Sequence, residues 1–180
     1  STDGGATYPI YIGQETISTF SYSKYWIVNT TDTSSARVKV VVTDNTGASK
    51  EDTSDGDFVI DSTPPSVISY YPPDGSNTVP KDAYIYVNFS EAMNRTSVEN
   101  GFSLEMEGGI NVSGNITWTS GTNMVFIPDS ELLTDTKYYL NITNAKDASD
   151  PGNVMPTFSI SFTTEPVIGT AIDSPVVGSR

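Results

Sequence analysis

The sequence predicts an all-β protein built from antiparallel sheets, each with one buried face and one wet face. Apolar and polar residues alternate with a period of two through most of the chain. Clusters of Gly, Pro, Asn and Asp separate these runs at roughly ten-residue spacing, which is typical of a β-sandwich. The one run with helical character is "SEAMNRTSVEN", Ser90 to Asn100, which is long enough for one or two short turns.

Five segments carry the alternation most clearly, and each puts its apolar residues on one face. These are Ile85, Val87 and Phe89 in "AYIYVNF", Phe102, Leu104 and Met106 in "GFSLEME", Ile116 and Trp118 in "NITW", Tyr138, Leu140 and Ile142 in "KYYLNIT", and Phe158, Ile160 and Phe162 in "FSISFTT". We expect these faces to form the core and the residues between them to face water.

The segment before Asp61 has strand character as well. "RVKVVVTDNTG" places Val38, Val40 and Val42 on one face and ends in a turn at Asp44 to Gly47, and "DFVID" follows as a last strand. The run Ser62-Thr63-Pro64-Pro65 then interrupts the pattern, because prolines cannot donate ladder hydrogen bonds and stiffen the chain. The sequence therefore predicts a domain over 1–61, a second over 62–165, and a tail over 166–180.

The charge balance excludes several classes of function. Acidic residues number 22 against 9 basic ones, a formal net charge of −13. Such a surface repels phosphate backbones, so we expect no nucleic-acid partner, and it disfavours contact with anionic lipid. The sequence shows no signal peptide and no apolar run long enough to span a membrane, which predicts a soluble, already processed chain with no direct membrane span.

The chain contains no cysteine and no histidine. Disulfides, thiolate metal sites, thiol nucleophiles and Ser-His-Asp chemistry are therefore excluded together. A cysteine-free chain fits a reducing cytosol and an extracellular protein without disulfides equally well, so another feature has to indicate the compartment.

The Asn-x-Ser/Thr pattern supplies that feature. It begins at Asn29, Asn88, Asn94, Asn111, Asn115 and Asn141, about twice the frequency that the Asn, Ser and Thr content gives by chance. Three of these asparagines fall on the solvent side of predicted strands, two in predicted turns, and Asn29 beside a polar run. The pattern predicts N-linked glycans and an extracellular, cell-surface protein; the alternative is a β protein that is simply rich in Ser, Thr and Asn.

From Asp61 to about Glu165 the chain resembles the Ig-like module of bacterial and archaeal surface-layer and adhesin proteins. The residues that carry the resemblance are "DSTPPSVISYYPPDGSNTVP", "IYVNFSEAMNRTSV", "NGFSLE", "MVFIPDSELLTDTKYYLNIT" and "AKDASDPGN…FSISFTT". The resemblance implies tandem Ig-like antiparallel β-sandwiches and is specific for fold more than for function.

Residues 1 to 60 resemble the C-terminal part of another surface module of Ig or fibronectin type. Ser1 to Gly5 corresponds to a hairpin, "YWIVN" to a strand containing Trp26, and "VKVVVTDNTG" with "DGDFVID" to the end of the module. A whole Ig-type sandwich has about 100 residues, so we expect this first domain to be incomplete. An incomplete sandwich exposes strand edges, and we expect the tail Pro166 to Arg180, or a strand of another chain, to complete it. A piece of a longer surface protein is the alternative.

The resemblance implies a non-enzymatic structural component of an extracellular surface protein: a surface-layer or filament subunit, or an adhesin stalk. Its partners would be other copies of itself or adjacent domains of the longer protein. The rival function is a carbohydrate-binding accessory module of a secreted enzyme, in which Trp26, Trp118 and outward tyrosines such as Tyr84, Tyr86 and Tyr139 would stack on sugars. Trp118 shares its strand face with Ile116, which favours a place in the core.

Two acidic segments are candidate calcium sites, since hard cations take clustered carboxylate oxygens. The first groups Asp52, Asp55, Asp57 and Asp61 in "DTSDGDFVID", and the second groups Asp147, Asp150 and Asn153 in "KDASDPGN". Neither has the spacing of an EF-hand loop, and the alternative is that these residues form turns on an acidic surface. Glu91 could act as a general base, but the sequence places no second carboxylate beside it, so we predict no catalytic residues.

Overall fold

The computed structural model describes residues 1–18, 23–25, 27–28 and 32–167. Its sheets are antiparallel and its helix content is small, which confirms the all-β prediction. The chain divides into two compact units, Ser1–Thr63 and Pro64–Arg180, which we call unit 1 and unit 2. The division falls inside the proline-containing run that begins at Ser62.

Unit 1 contains two separate two-stranded antiparallel sheets. Its strands are β1 (Thr33–Ala36), β2 (Lys39–Thr43), β3 (Ser49–Thr53) and β4 (Phe58–Ile60). Strand β1 pairs with β4, and β2 forms a hairpin with β3. The hairpin turns where the sequence predicts it, because the Asp44 carboxylate accepts hydrogen bonds from the amides of Thr46 and Ala48 at 2.8 and 3.0 Å.

The described part of unit 1 buries one hydrophobic residue, Ala36. Val40, Val41 and Val42 in β2 are 55%, 55% and 56% exposed. Both faces of the hairpin are therefore wet, because in the described part of unit 1 no second layer covers either of them.

The N-terminal segment of unit 1 differs from two local predictions. Ser1 to Gly5 forms a turn beside β1 instead of a hairpin, with the Gly4 amide donating to the Ser35 carbonyl at 2.8 Å. In the predicted strand "YWIVN", the described residues Tyr25, Ile27 and Val28 lie in no strand. Trp26 and Asn29 lie outside the described residues.

Unit 2 is a sandwich of two four-stranded antiparallel sheets. Its elements are β5 (Val67–Tyr71), β6 (Ile85–Phe89), α1 (Arg95–Gly101), β7 (Phe102–Met106), β8 (Ile110–Asn111), β9 (Gly114–Trp118), β10 (Asn123–Pro128), β11 (Lys137–Ile142) and β12 (Phe158–Thr163). The front sheet has the order β5-β6-β10-β9, and the back sheet has the order β12-β11-β7-β8.

The core of unit 2 lies between these sheets, on the predicted faces. Ile85, Val87 and Phe89 are buried on β6, and Leu140 on β11 stands opposite Leu104 and Ile160 in register. Residues near strand ends or on edge strands are half-buried against this core, among them Phe102, Met106, Ile116, Trp118 and Phe158. The period-two pattern thus placed the core correctly, because alternate side chains of a strand point to opposite faces.

The short helix α1 begins within the predicted helical run and ends one residue beyond it, at Gly101. The Asn94 side chain caps it by accepting a hydrogen bond from the Ser97 amide at 3.1 Å. The chain leaves the helix at Gly101, where a Cβ atom would stand 1.9 Å from the Thr143 carbonyl oxygen, so only glycine fits. Within the described ranges no helix has the length and apolarity needed to cross a bilayer.

Candidate functional site

The structure spreads the four aspartates of the first candidate calcium site along the end of unit 1. Asp52 lies on β3, and both it and Asp55 are exposed. Asp57 forms an ion pair with Arg37, with 2.6 Å between Oδ1 and Nε, and Asp61 accepts a hydrogen bond from a nearby backbone amide. These four described residues do not bring three carboxylate oxygens within 4.8 Å of one another. Calcium binding here stays a prediction.

Other aspartates in unit 1 hold loop segments in place by accepting hydrogen bonds. The Asp32 carboxylate accepts hydrogen bonds from the Thr63 hydroxyl and from both the hydroxyl and the amide of Ser62. These bonds hold the pKa of Asp32 below its usual range, and the bond from the Thr63 hydroxyl has the largest effect. Asp3 and Asp44 are bound in the same way by nearby Ser and Thr groups, and their pKa values are also lowered. Sequence reasoning missed Asp32, because its partners lie about thirty residues away along the chain.

The second candidate site is a loop closed by one buried carboxylate. Asp147 is 1% exposed, and its Oδ1 accepts hydrogen bonds from the Ser149 amide, the Ser149 hydroxyl and the Asn153 amide at 3.0, 2.6 and 3.0 Å. Its Oδ2 accepts from the Asn153 side chain at 2.8 Å. Burial raises the pKa of Asp147, but these bonds outweigh it and hold the pKa below its usual range. Asp150 is exposed, and Asp147 has a structural role in the loop.

The loop also brings a second carboxylate to Glu91, which sequence reasoning did not foresee. Met93 pairs with Asp147 in an antiparallel bridge, and the Ala148 amide donates to the Ala92 carbonyl at 2.9 Å. Carboxylate oxygens of Glu91 and Asp147 consequently lie within 4.8 Å of each other. Asp147 is buried and its oxygens are engaged by the loop, so the pair does not form the accessible acid and base that hydrolysis of a glycosidic bond requires.

The described aromatic residues give no single open platform. Trp118 is half-buried: Phe89 stacks on it with ring centroids 6.1 Å apart, Arg95 lies 5.6 Å from its centroid, and its Nε1 donates to Glu99 at 2.9 Å. On the outer face of the front sheet, Tyr86 stacks on Tyr71 and is half-buried. Tyr84 and Tyr139 are exposed, as predicted from strand parity.

The described sequon asparagines fall into three environments. Asn88 and Asn141 are half-buried on inner strands β6 and β11, and Asn94 is the exposed cap of α1. Asn115 is exposed on β9, on the predicted wet side. Asn111 is exposed as well, but it belongs to strand β8 rather than to the turn that the sequence indicates. No glycan is assigned by these positions alone.

A groove opens between the two sheets at one edge of unit 2. It has a volume of about 510 Å³, and its apolar lining comes from Phe102, Val112, Ile116 and Phe126. Strand β9 forms the edge of the front sheet here, and β8 forms the edge of the back sheet. The sequence could not place this groove, because its walls come from strands whose pairing is set by the whole sandwich.

The bacterial Ig-like domain family matches residues 61–164, which is more than half of the chain. The chain belongs to the bacterial Ig-like domain family. This family is a non-catalytic domain type, in agreement with the carboxylates just described. The match covers unit 2 up to residue 164 and the last three residues before it, so the family resemblance read from the sequence is confirmed for that part.

Solved structures that are similar to part of this chain include a bacterial S-layer protein and an L,D-transpeptidase. The N-terminal part of the bacterial S-layer protein SbsC is 18% identical over 57% of this chain and 24% of its own, with a TM-score of 0.43. An L,D-transpeptidase from Mycobacterium smegmatis is 22% identical over 57% of this chain and 41% of its own, with a TM-score of 0.42. This chain thus spans less than half of either protein, and likeness at this level carries no argument about function. The chain matches no curated protein.

The Ig-like domain contains one structural residue that sequence reasoning treated only as core. Tyr138 is buried, its ring stacks on Phe162 with centroids 5.4 Å apart, and its hydroxyl accepts a hydrogen bond from the Leu133 amide at 2.8 Å. Burial raises the pKa of this hydroxyl. A tyrosine bonded to the backbone a few residues upstream is a recurrent device in Ig-type sandwiches. Its signal in the sequence is the first tyrosine of "LLTDTKYY".

Proposed function

We propose that this chain is a structural part of an extracellular surface protein, in which the Ig-like domain is a rigid spacer. The observation that carries the proposal is the non-catalytic Ig-like domain over 61–164. The one buried carboxylate of this domain, Asp147, is bonded within its own loop, which agrees with a structural role. The acidic surface and the six sequons support the extracellular location.

Protease treatment of intact cells tests the location. We expect an added protease to cleave the protein on whole cells and release peptides from unit 2. A cytosolic protein in the same cells serves as the control and should stay intact. Cleavage of the protein only after the cells are lysed would contradict the proposal.

We further propose that unit 1 assembles with a second copy of the chain through strand β2. The outer edge of β2 has no strand partner in the described part of unit 1. An antiparallel pair of β2 strands centred on Val41 would place Val40 of each copy opposite Val42 of the other. Valine pairs across strands are favourable, and the arrangement is self-complementary, as a twofold interface requires.

Light scattering on eluting protein tests this contact. Val41→Lys should abolish or weaken self-association, because it puts a charge at the centre of the strand pair. Ile68→Lys is the matched control: it adds the same charge at an exposed aliphatic position on edge strand β5 of unit 2. A wild-type chain that stays monomeric at high concentration, or an equal loss in both variants, would rule out assembly through β2.

The rival function, carbohydrate binding, rests on the exposed ring of Tyr84. Titration with a panel of glycans tests it by calorimetry. Binding that is lost in Tyr84→Ala but kept in Tyr139→Ala would favour the rival over the spacer.

A further inference from the structure

The described sequons differ in what surrounds each asparagine side chain. Asn141 lies on inner strand β11 between Ser103 and Ser159, and its Oδ1 accepts a hydrogen bond from the Ser159 hydroxyl at 2.7 Å. Asn88 lies on inner strand β6 between Ser69 and Asn123. Both side chains are half-buried by neighbouring strands, so a bulky sugar has little room at either amide.

Asn94 is exposed, but its side chain has a structural task. Its Oδ1 caps α1 through the Ser97 amide. The Ser97 hydroxyl in turn donates a hydrogen bond to the Asn94 carbonyl at 2.7 Å. This sequon therefore sits in a fixed backbone turn.

Asn111 and Asn115 differ from these three. Both are exposed, and neither side chain forms a hydrogen bond with another described residue. They lie on the short strands β8 and β9, at the same open edge of unit 2. Two residues, Val112 and Ser113, carry the chain from the edge of the back sheet toward the edge of the front sheet.

The edge between these two asparagines is exposed to strand addition. The groove opens there, and its lining combines apolar side chains such as Phe102, Val112 and Phe126 with polar ones such as Glu105 and Asp129. Gly114 brings the backbone against the Phe126 ring so closely that a Cβ atom would stand 2.4 Å from Cζ. Free sheet edges beside apolar surface invite pairing with other chains, and proteins usually protect them.

We propose that Asn111 and Asn115 carry N-linked glycans that cover this groove and shield both sheet edges from strand addition. The inference rests on the proposed extracellular location. The Asn Nδ2 attacks C1 of the first sugar of a lipid-phosphate-linked oligosaccharide, forming the N–C1 bond. The C1–O bond breaks, the lipid phosphate leaves with its electron pair, and Nδ2 loses one proton to a base.

Glycopeptide mass spectrometry on protein purified from the cells that make it tests the assignment. We expect sugar on Asn111 and Asn115 and bare asparagine at Asn88 and Asn141. Ser113→Ala should remove the glycan from Asn111, and Thr117→Ala should remove it from Asn115, although both asparagines remain. Sugar at Asn88 or Asn141 with bare Asn111 and Asn115, or a surface-exposed protein with no sugar at all, would overturn the proposal while leaving the spacer function standing.

A second measurement tests the shielding. The double variant Asn111→Gln/Asn115→Gln should associate at lower protein concentration than wild type and should bind more of an apolar fluorescent dye. Asn141→Gln is the matched control and should behave as wild type in both measurements. Occupied sites whose removal changes neither quantity would overturn the shielding. A protein cleaved only in lysed cells would instead overturn the extracellular location.

Discussion

Unit 1 and unit 2 are both built from short antiparallel strands that carry apolar residues, yet they differ in burial. Strand β2 of unit 1 carries three consecutive valines, each more than half exposed. Strand β11 of unit 2 alternates Tyr138, Leu140 and Ile142 with polar residues, and these three are at most 1% exposed. An apolar strand is buried only when a second sheet covers it, and the described part of unit 1 supplies no such layer.

This difference in burial suggests separate roles: unit 2 supplies the stability of the chain, and unit 1 supplies a surface for assembly. Unit 2 has a continuous core and its own loop-closing carboxylate, so we expect it to determine the resistance of the chain to unfolding. Unit 1 presents exposed valines on β2, so we expect its stability to depend on whether another chain covers them. Four predictions test this division, from the largest expected effect to the smallest.

Leu140→Ala should destabilise unit 2 by about 2–5 kcal/mol, because it opens a cavity at a fully buried position on a central strand. Val41→Ala in the exposed hairpin should change the free energy of unfolding by less than about 0.5 kcal/mol. Urea unfolding followed by tryptophan fluorescence measures both. Similar losses in the two variants would show that the hairpin is covered by a layer.

Asp147→Asn should destabilise unit 2 by about 1–3 kcal/mol at neutral pH, since it brings the Asn153 amide against another amide and removes a charged acceptor. The pKa of Asp147 is lowered in the folded state, so its contribution is complete at neutral pH and is lost as the pH falls through the folded pKa. The difference between wild type and Asp147→Asn in urea should therefore shrink in acid. A difference independent of pH would show that the charge has no part in closing the loop.

Tyr138→Phe should cost about 1 kcal/mol, because the Leu133 amide loses its acceptor while the ring stacking on Phe162 is kept. Tyr139→Phe on the neighbouring exposed position is the control and should be neutral. Thermal melting of both variants checks this. Equal midpoints for the two would indicate that water replaces the lost hydroxyl.

Removal of residues 1–63 should leave the unfolding of unit 2 almost unchanged, because each unit is compact by itself. Melting of a chain that begins at Pro64 is compared with melting of the whole chain. A large fall in midpoint would mean that unit 2 depends on residues before the division.

Much of unit 2 was predictable from local patterns. Ile85, Val87, Phe89, Leu140 and Phe162 were placed in the core by alternation alone, and the helix starts within the run that begins at Ser90. The strand status of Asn111 and the proximity of Glu91 to Asp147 were not predicted. Asn111 belongs to a two-residue strand in a hairpin with β7, which is too short to show a period. Glu91 and Asp147 come from segments far apart in the sequence, whose proximity no local period reports.

The sequence by itself determined the fold class, the faces of the strands and the absence of thiol and histidine chemistry. These follow from residue types and from the two-residue period of a strand. Only the tertiary structure decided which faces find a covering layer, which carboxylates close loops, and which sequons lie at an open edge. Those outcomes depend on how the two sheets of unit 2 pack and on the pairing of β11 with β7, which lies far from it in the chain, and therefore on packing rather than on pattern.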